Sequence, residues 1–396
     1  MTDWWAPSWK VRVNGKSQEV LAADFVYRVV MVEPGGNLSQ FRYWPWGWPY
    51  LLILSWRTLL MLGVCQVVRV MRGVEPPSSR AHPTQLLSMK GRRVMEDLTK
   101  QYSYEKLIQE EKEHYSQIEV TDDLTEGGVH ANSSWSYYWQ RIATVIGQSE
   151  YANLPVYLDR AFGSLETPIR ILSLGSGYCG NEIGLAKGLA SRHIITCTDI
   201  NEEIFSDARK RVQQENLSIE FRVEDLNFIK IPKGECDLIF AHAALHHIIN
   251  LEYLLDQIVD GLSDNGVFHL VEVTGMNRKL IWDENERFAN ALLSLMPDRI
   301  TRKLRLDVRA EAEGMEGVRQ EEILPLLHKR FRPIFEWRHG AFMRFICTHP
   351  DLGRYFDPAD NEARRYLDFL IDCDESSVRR GVLKPLELWG VYQPLH

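Results

Sequence analysis

The stretch IRILSLGSGYCGNEIGLAKGL, Ile169 to Leu189, decides the fold. Apolar residues lead into Gly175-Ser176-Gly177-Tyr178-Cys179-Gly180, and a helix-like run follows. By spacing this is G-x-G-x-x-G between a strand and a helix, the pattern of a nucleotide-binding loop. Gly175 and Gly177 permit close backbone approach, and amides at the following helix start favour an anionic group. The pattern alone does not choose a cofactor.

From Ile169 onward short apolar runs alternate with amphipathic ones, which predicts a parallel sheet covered on both faces. Strands are expected at 169–174, 194–199, 219–223, 236–240 and 266–273, and helices near 181–191, 203–216, 251–262 and 281–295. Ligands of such sheets bind beyond the carboxyl ends of the strands. The second strand ends in Asp199, followed by Ile200 and Asn201, and an acid there accepts from ribose hydroxyls. The third ends in VEDL, where Asp225 is placed to accept from an adenine amine with Leu226 against the ring. Dinucleotide-binding halves do not usually carry an acid at that point.

Together LSLGSGYCG, CTDI, VEDL, DLIFAHAALHHI and LSDNGVFHLVEVTG resemble the successive motifs of class I S-adenosylmethionine (SAM) dependent methyltransferases. The resemblance covers about residues 165–275. It implies a Rossmann-like, doubly wound α/β fold with a seven-stranded sheet, two closing strands near 333–339 and 386–392, and SAM as cofactor. Gly175, Ser176, Gly177 and Gly180 would then hold the methionine end, Asp199 and Ile200 the ribose, Asp225 and Leu226 the adenine, and Ala241 with His242 the edge beside them. A weaker resemblance, through residues 271–303, 321–331 and 363–394, is to bacterial methyltransferases of glycan and natural-product pathways. His242 departs from that pattern, where many relatives carry Asn or Ser, and it brings a base close to the acceptor.

Methyl transfer to a hydroxyl needs alignment and removal of a proton. His242, His246, His247 and Glu272 are the candidate catalytic groups, and His269, inside a strand, reads as packed. Where metal-dependent relatives place a carboxylate after the fourth strand this chain has Ala241-His242, so no metal is expected. The leading reading is a metal-independent O-methyltransferase acting on a small molecule, natural product or glycan. N- or C-methyl transfer, an NAD(P)-dependent oxidoreductase and a non-catalytic scaffold are the alternatives.

The rest of the chain divides into residues 1–83, a Trp-rich extension of helical and aromatic character, and 84–164, a helical cap; 165–396 form the cofactor-binding core. Seven of the twelve Trp precede residue 60, and the run at 44–72 sets aromatics ahead of about 20 mostly apolar residues closed by Arg69 and Arg72. Arg57 and Gln66 interrupt it, so a buried helix or homodimer contact is favoured over a membrane-surface helix, and both over a true span. The net charge of −8 argues against a general nucleic-acid binder, and its split into +6 over residues 1–100 and −14 over the remainder implies that the two parts face different surroundings. KLIQEEKEHYSQI and SSWSYYWQRIATVIG are expected helices, the second capped by Ser133 or Ser134, with TDDLTEGGVH a loop between. Six scattered cysteines fit reduced, buried thiols in a cytoplasmic protein, and no signal-peptide layout opens the chain.

Overall fold

The computed structural model describes residues 9–14, 16–18, 21–23, 27–29, 39–43, 90, 94–95, 103–116, 133–149, 151, 153–164, 166–308 and 314–395. The chain divides into two units, Met1–His82 and Pro83–His396. In the first, the described elements are strands, not helices. β1 (Trp9–Val13) pairs antiparallel with β2 (Lys16–Gln18) and β5 (Ser39–Tyr43), and β3 (Leu21–Ala23) pairs with β4 (Tyr27–Val29). WKVRV and SQFRY alternate in polarity with period two, the spacing that a half-buried strand requires. The apolar run at 44–72, the linker at 75–83 and the loop at 121–130 lie outside the described residues.

The second unit is built on a seven-stranded sheet in the order β11-β12-β10-β9-β6-β7-β8. Its strands are β6 (Ile169–Leu174), β7 (His193–Asp199), β8 (Ile219–Val223), β9 (Cys236–His242), β10 (Leu262–Val273), β11 (Phe331–His339) and β12 (Glu387–Pro394). β6 to β10 run parallel, and β12 is antiparallel to both β10 and β11. The central strands read as near-continuous apolar runs because both faces are covered. Pro333 sits on the edge strand β11, beside a register shift, where a missing N–H costs least.

One face packs helices α2 (Ser133–Ile146), α3 (Leu154–Phe162), α4 (Gly180–Gly188), α5 (Phe205–Gln214), α7 (Asp283–Ser294) and α9 (Asn361–Arg379), while α1 (Tyr104–Ser116) sets Tyr104 and Ile108 against a separate small cluster with Ile249, Met315 and Val318. The other packs α6 (Leu251–Gly261) and α8 (Gln320–Leu327). Each fully buried Leu, such as Leu254, contributes about 1.5–3 kcal/mol. Ser133 and Ser134 are the first residues of α2 and do not cap it from outside; the Ser134 hydroxyl donates to the Cys347 carbonyl and that of Ser133 to Asp357. β9 runs two residues past the expected end, which makes His242 its last residue. Cys179, Cys197 and Cys236 are buried thiols.

Between α6 and α8 lies Arg319, only 1% exposed. It donates to the Ile249 carbonyl, forks onto Glu252 at 2.7 Å for both bonds, and reaches Glu322 at 2.8 Å. The planar guanidinium makes five hydrogen bonds here in a fixed fork, whereas an ammonium has only three donors. Arg319→Ala is expected to lower unfolding free energy by about 3 kcal/mol, with Arg319→Lys recovering less than half, as read from the midpoint of chemical unfolding.

Candidate active site

Sheet register assembles the site. Leu174 lies opposite Thr198 on one side and Ala241 on the other, and His242 lies opposite Val271. Gly175, Asp199, His242 and Glu272 therefore leave the sheet along one carboxyl edge. That edge is also where the chain reverses direction across the sheet, with β7 on one side of β6 and β9 on the other. An open α/β sheet binds its ligand in such a crevice.

The Gly loop is shaped by contact. Gly175 has φ +65°, and a Cβ there would stand 2.6 Å from the Ala244 Cβ. Gly177 has φ +51°, and a Cβ there would point into open space. Its N–H donates to Asp199 Oδ2 at 3.0 Å, tying the loop to the end of β7. Asp199 also accepts from Asn201 N–H, and burial still pushes its carboxyl above the ordinary range. Ser176 turns inward: its hydroxyl accepts from Thr198 N–H and donates to the Ser173 carbonyl. Gly180 opens α4, Ile200 follows Asp199 half-buried, and Ala241 is wholly buried in the core below.

Asp225 accepts from Asn227 N–H at 2.9 Å and from the Tyr104 hydroxyl at 2.7 Å. Tyr104 opens α1, so that helix reaches the expected adenine end of the crevice. The same helix accepts from Asn201 Nδ2 through the Lys112 carbonyl. Leu226 is buried beneath, near the Gly175 position.

The four candidate catalytic groups separate into two environments. His242 Nδ1 is 2.9 Å from the Asn181 amide, its ring faces Trp139 at 6.3 Å, and Trp135 and Tyr138 of the same helix are core. The ring keeps a partial opening to solvent, yet the dense protein around it pushes its pKa down to about 4. His246 and Glu272 form a buried pair, Nδ1 to Oε1 at 2.6 Å. The other Glu272 oxygen accepts from Leu245 N–H, so this carboxylate is fully engaged. Burial disfavours the His246 imidazolium, but Glu272 and Glu316 outweigh it and lift its pKa to about 9. His247 Nδ1 stands 2.7 Å from Glu111 on α1. His269 packs between Phe240 and Trp389, as a core residue would.

Several groups were not singled out from the sequence. Asn181 and Glu182 directly follow the Gly loop; Tyr104, Glu111 and Glu316 come from distant segments. Glu182 is 2% exposed under the loop, where its Oε1 accepts from the Ser173 hydroxyl at 2.6 Å. Burial lifts its pKa to about 7.

The open space over Gly177, the acid at the end of β7 and the acid after β8 fit a nucleoside-bearing cofactor laid along this edge. The strand order and this site together define a Rossmann-like fold of the methyltransferase type. Residues 171–266 match the family described as "Methyltransferase domain", so the chain carries a SAM-dependent methyltransferase domain, and its cofactor is SAM. A comparison with curated proteins found no match. Among solved structures the chain is similar to the cyclase SpnF, at 14% identity over 73% of this chain and 97% of that one, with a TM-score of 0.42. It is also similar to a geranyl diphosphate C-methyltransferase from Streptomyces coelicolor A3(2), at 11% identity over 73% and 98%, with a TM-score of 0.41. These likenesses are too distant to bear on what this chain acts on.

Two outcomes follow. Gly175→Ala must move either the loop or Ala244, so calorimetry is expected to read SAM affinity at least about tenfold weaker, with the far-ultraviolet circular dichroism unchanged. Glu182 has a folded pKa above its ordinary 4.5, so the stability of its protonated form is complete below that value and is lost as pH rises through about 7. The loss amounts to about 3 kcal/mol. Glu182→Gln is therefore expected to melt above the parent at pH 8, with the gap closing by pH 4.5.

Proposed function

We propose that this chain transfers the methyl group of SAM to a hydroxyl of a small-molecule, natural-product or glycan acceptor, with His242 as the base. The observation that carries this reading is the place of His242. It ends β9 in the same row as Gly175 and Asp199, and its burial-lowered pKa of about 4 leaves the imidazole neutral at physiological pH.

SAM, when bound, supplies a methyl group on a sulfonium whose carbon–sulfur electron pair leaves with sulfur, a displacement that itself needs no metal. The chain's task is to align the acceptor oxygen and take its proton. Asn181 Nδ2 donates to His242 Nδ1 at 2.9 Å, so the neutral ring carries its hydrogen on Nε2 and its lone pair on Nδ1, which exchanges the Asn181 amide for the acceptor hydroxyl to act as a base. Gly175, Gly177 and Gly180 shape the methionine end, while Asp199 with Ile200 and Asp225 with Leu226 serve ribose and adenine. Ala241 supports that edge from the core. Glu272 and His246, locked to one another, act as positioning residues beneath the acceptor side, and His247 stands beside them.

Residues 84–164 are assigned as a cap over the acceptor, a role supported by the contacts of α1 with Asp225 and Asn201. The Trp-rich, basic composition of residues 1–83 supports a contact surface there, for a second copy or a membrane face, in a cytoplasmic protein. No helix among the described residues is long and apolar enough to cross a membrane.

Calorimetry with SAM, S-adenosylhomocysteine and NAD tests the cofactor; binding of NAD alone would sink the reading. With methyl-labelled SAM and a panel of hydroxylated acceptors, His242→Ala is expected to lower kcat by about 10²–10⁴-fold while most of the SAM affinity persists. Unchanged turnover would remove His242 from the role of base.

A further inference from the structure

His246 and His247 are not used by the proton transfer above, yet they share a geometry that proton transfer does not explain. They are successive residues of one 3-10 turn, with ring centroids 4.2 Å apart. Each ring has its Nδ1 on a carboxylate: His246 on Glu272 at 2.6 Å, His247 on Glu111 at 2.7 Å. That fixes both Nε2 atoms in the same direction, and both meet the third carboxylate, Glu316. His246 Nε2 is 3.1 Å from Glu316 Oε1, and His247 Nε2 is 3.6 Å from Oε2.

Imidazoles that ligate a metal through one nitrogen usually donate through the other to a carboxylate, which sets ring orientation and raises ligand basicity. Here one such pair, His246 with Glu272, stands beside a second imidazole whose Nδ1 lies within ion-pair distance of Glu111, and the other nitrogens of both rings face Glu316. Donors held about 2.1 Å from a common ion, in tetrahedral or octahedral arrangement, stand about 3.0–3.4 Å from each other. Of the Glu316 distances, 3.1 Å lies inside that span and 3.6 Å just above it, and one ligand atom from each of His246, His247 and Glu316 fits within 4.8 Å of the others.

Charge points the same way. Glu111, Glu272 and Glu316 bring three negative charges into ion-pair contact around the rings, and Lys279, 2.6 Å from Glu316 Oε1, brings one positive charge. The three carboxylates outnumber the cations Lys279 and Arg278 that face Glu316, and a divalent cation would match the excess. Buried charge of this density is costly unless it is matched.

We propose that this chain binds one first-row divalent transition-metal ion at His246 Nε2, His247 Nε2 and the Glu316 carboxylate. Two imidazoles with one carboxylate select ions such as Zn²⁺, Co²⁺, Mn²⁺ or Fe²⁺ over Mg²⁺ or Ca²⁺, which prefer all-oxygen shells. The remaining coordination positions go to water or to an acceptor oxygen. The ion fastens the segment carrying Glu316 to the end of the sheet and, through Glu111, steadies α1. This goes beyond the methyltransferase reading and does not depend on it.

The test uses the full, tag-free chain stripped by a chelator and titrated with Co²⁺ alone, followed by its visible absorption and by equilibrium dialysis. One equivalent is expected to bind, with bands of nitrogen and oxygen ligation, and millimolar Mg²⁺ should not displace it. His246→Ala opens a buried pair and risks the fold, so the partly exposed His247→Ala and Glu316→Ala are the variants of choice; each should abolish the one-equivalent site with circular dichroism unchanged. Glu111→Gln, which touches only the far side of His247, should weaken binding about 10–100-fold. Absence of saturable binding, or a site that survives both His247→Ala and Glu316→Ala, overturns the proposal.

Discussion

Everything at the carboxyl edge depends on how closely two backbone segments pass where the sheet reverses direction. The turn after β6 and the turn after β9 meet at Gly175 and Ala244, with no room for a side chain on the former. This contact lets Gly177 reach Asp199, and it brings the end of β9 level with the loop. Widening it by one methyl group would move the loop, the acid and the histidine together. The fold therefore stakes its ligand geometry on a local absence of atoms, supported by a sheet whose central strands are buried on both faces.

The sheet places its two kinds of polar group in different surroundings. His242 shares a strand face with Phe240 and borders the aromatic helix α2, where low polarity keeps it uncharged. His246 and Glu272 are packed as closely, but each is the other's counter-charge, so ionic forms persist. Burial alone does not decide protonation; the partner does. Three candidate residues within one short edge thus divide into a neutral imidazole and a charged pair.

The sequence made the fold and the cofactor edge legible because those signals are local. Gly175 follows β6 directly, Asp199 ends β7 and Asp225 stands two residues past β8, and the central strands β6 and β9 carry their own apolar runs. The helix expected at 44–72 lies outside the described residues, whereas the strands β1 to β5 before it were not expected. The period-two alternation in WKVRV and SQFRY, which marks strands, stood in plain view. Other groups were beyond reach for a different reason. Tyr104 lies 121 residues from Asp225, and Glu111 and Glu316 meet His247 only because three separate segments converge. Glu182 stands beside the loop, and only the position of Ser173 beneath it shows that its carboxyl is buried.

The hydrogen bond from Tyr104 to Asp225 has a kinetic side. If Asp225 serves adenine as proposed, an arriving cofactor must share or replace the tyrosine hydroxyl, and a departing one must let it return. Loading and unloading then become the same event as the lifting and settling of α1. Turnover in such an arrangement is paced by a helix that takes no part in the bond changes, and the spent cofactor leaves no faster than that helix allows.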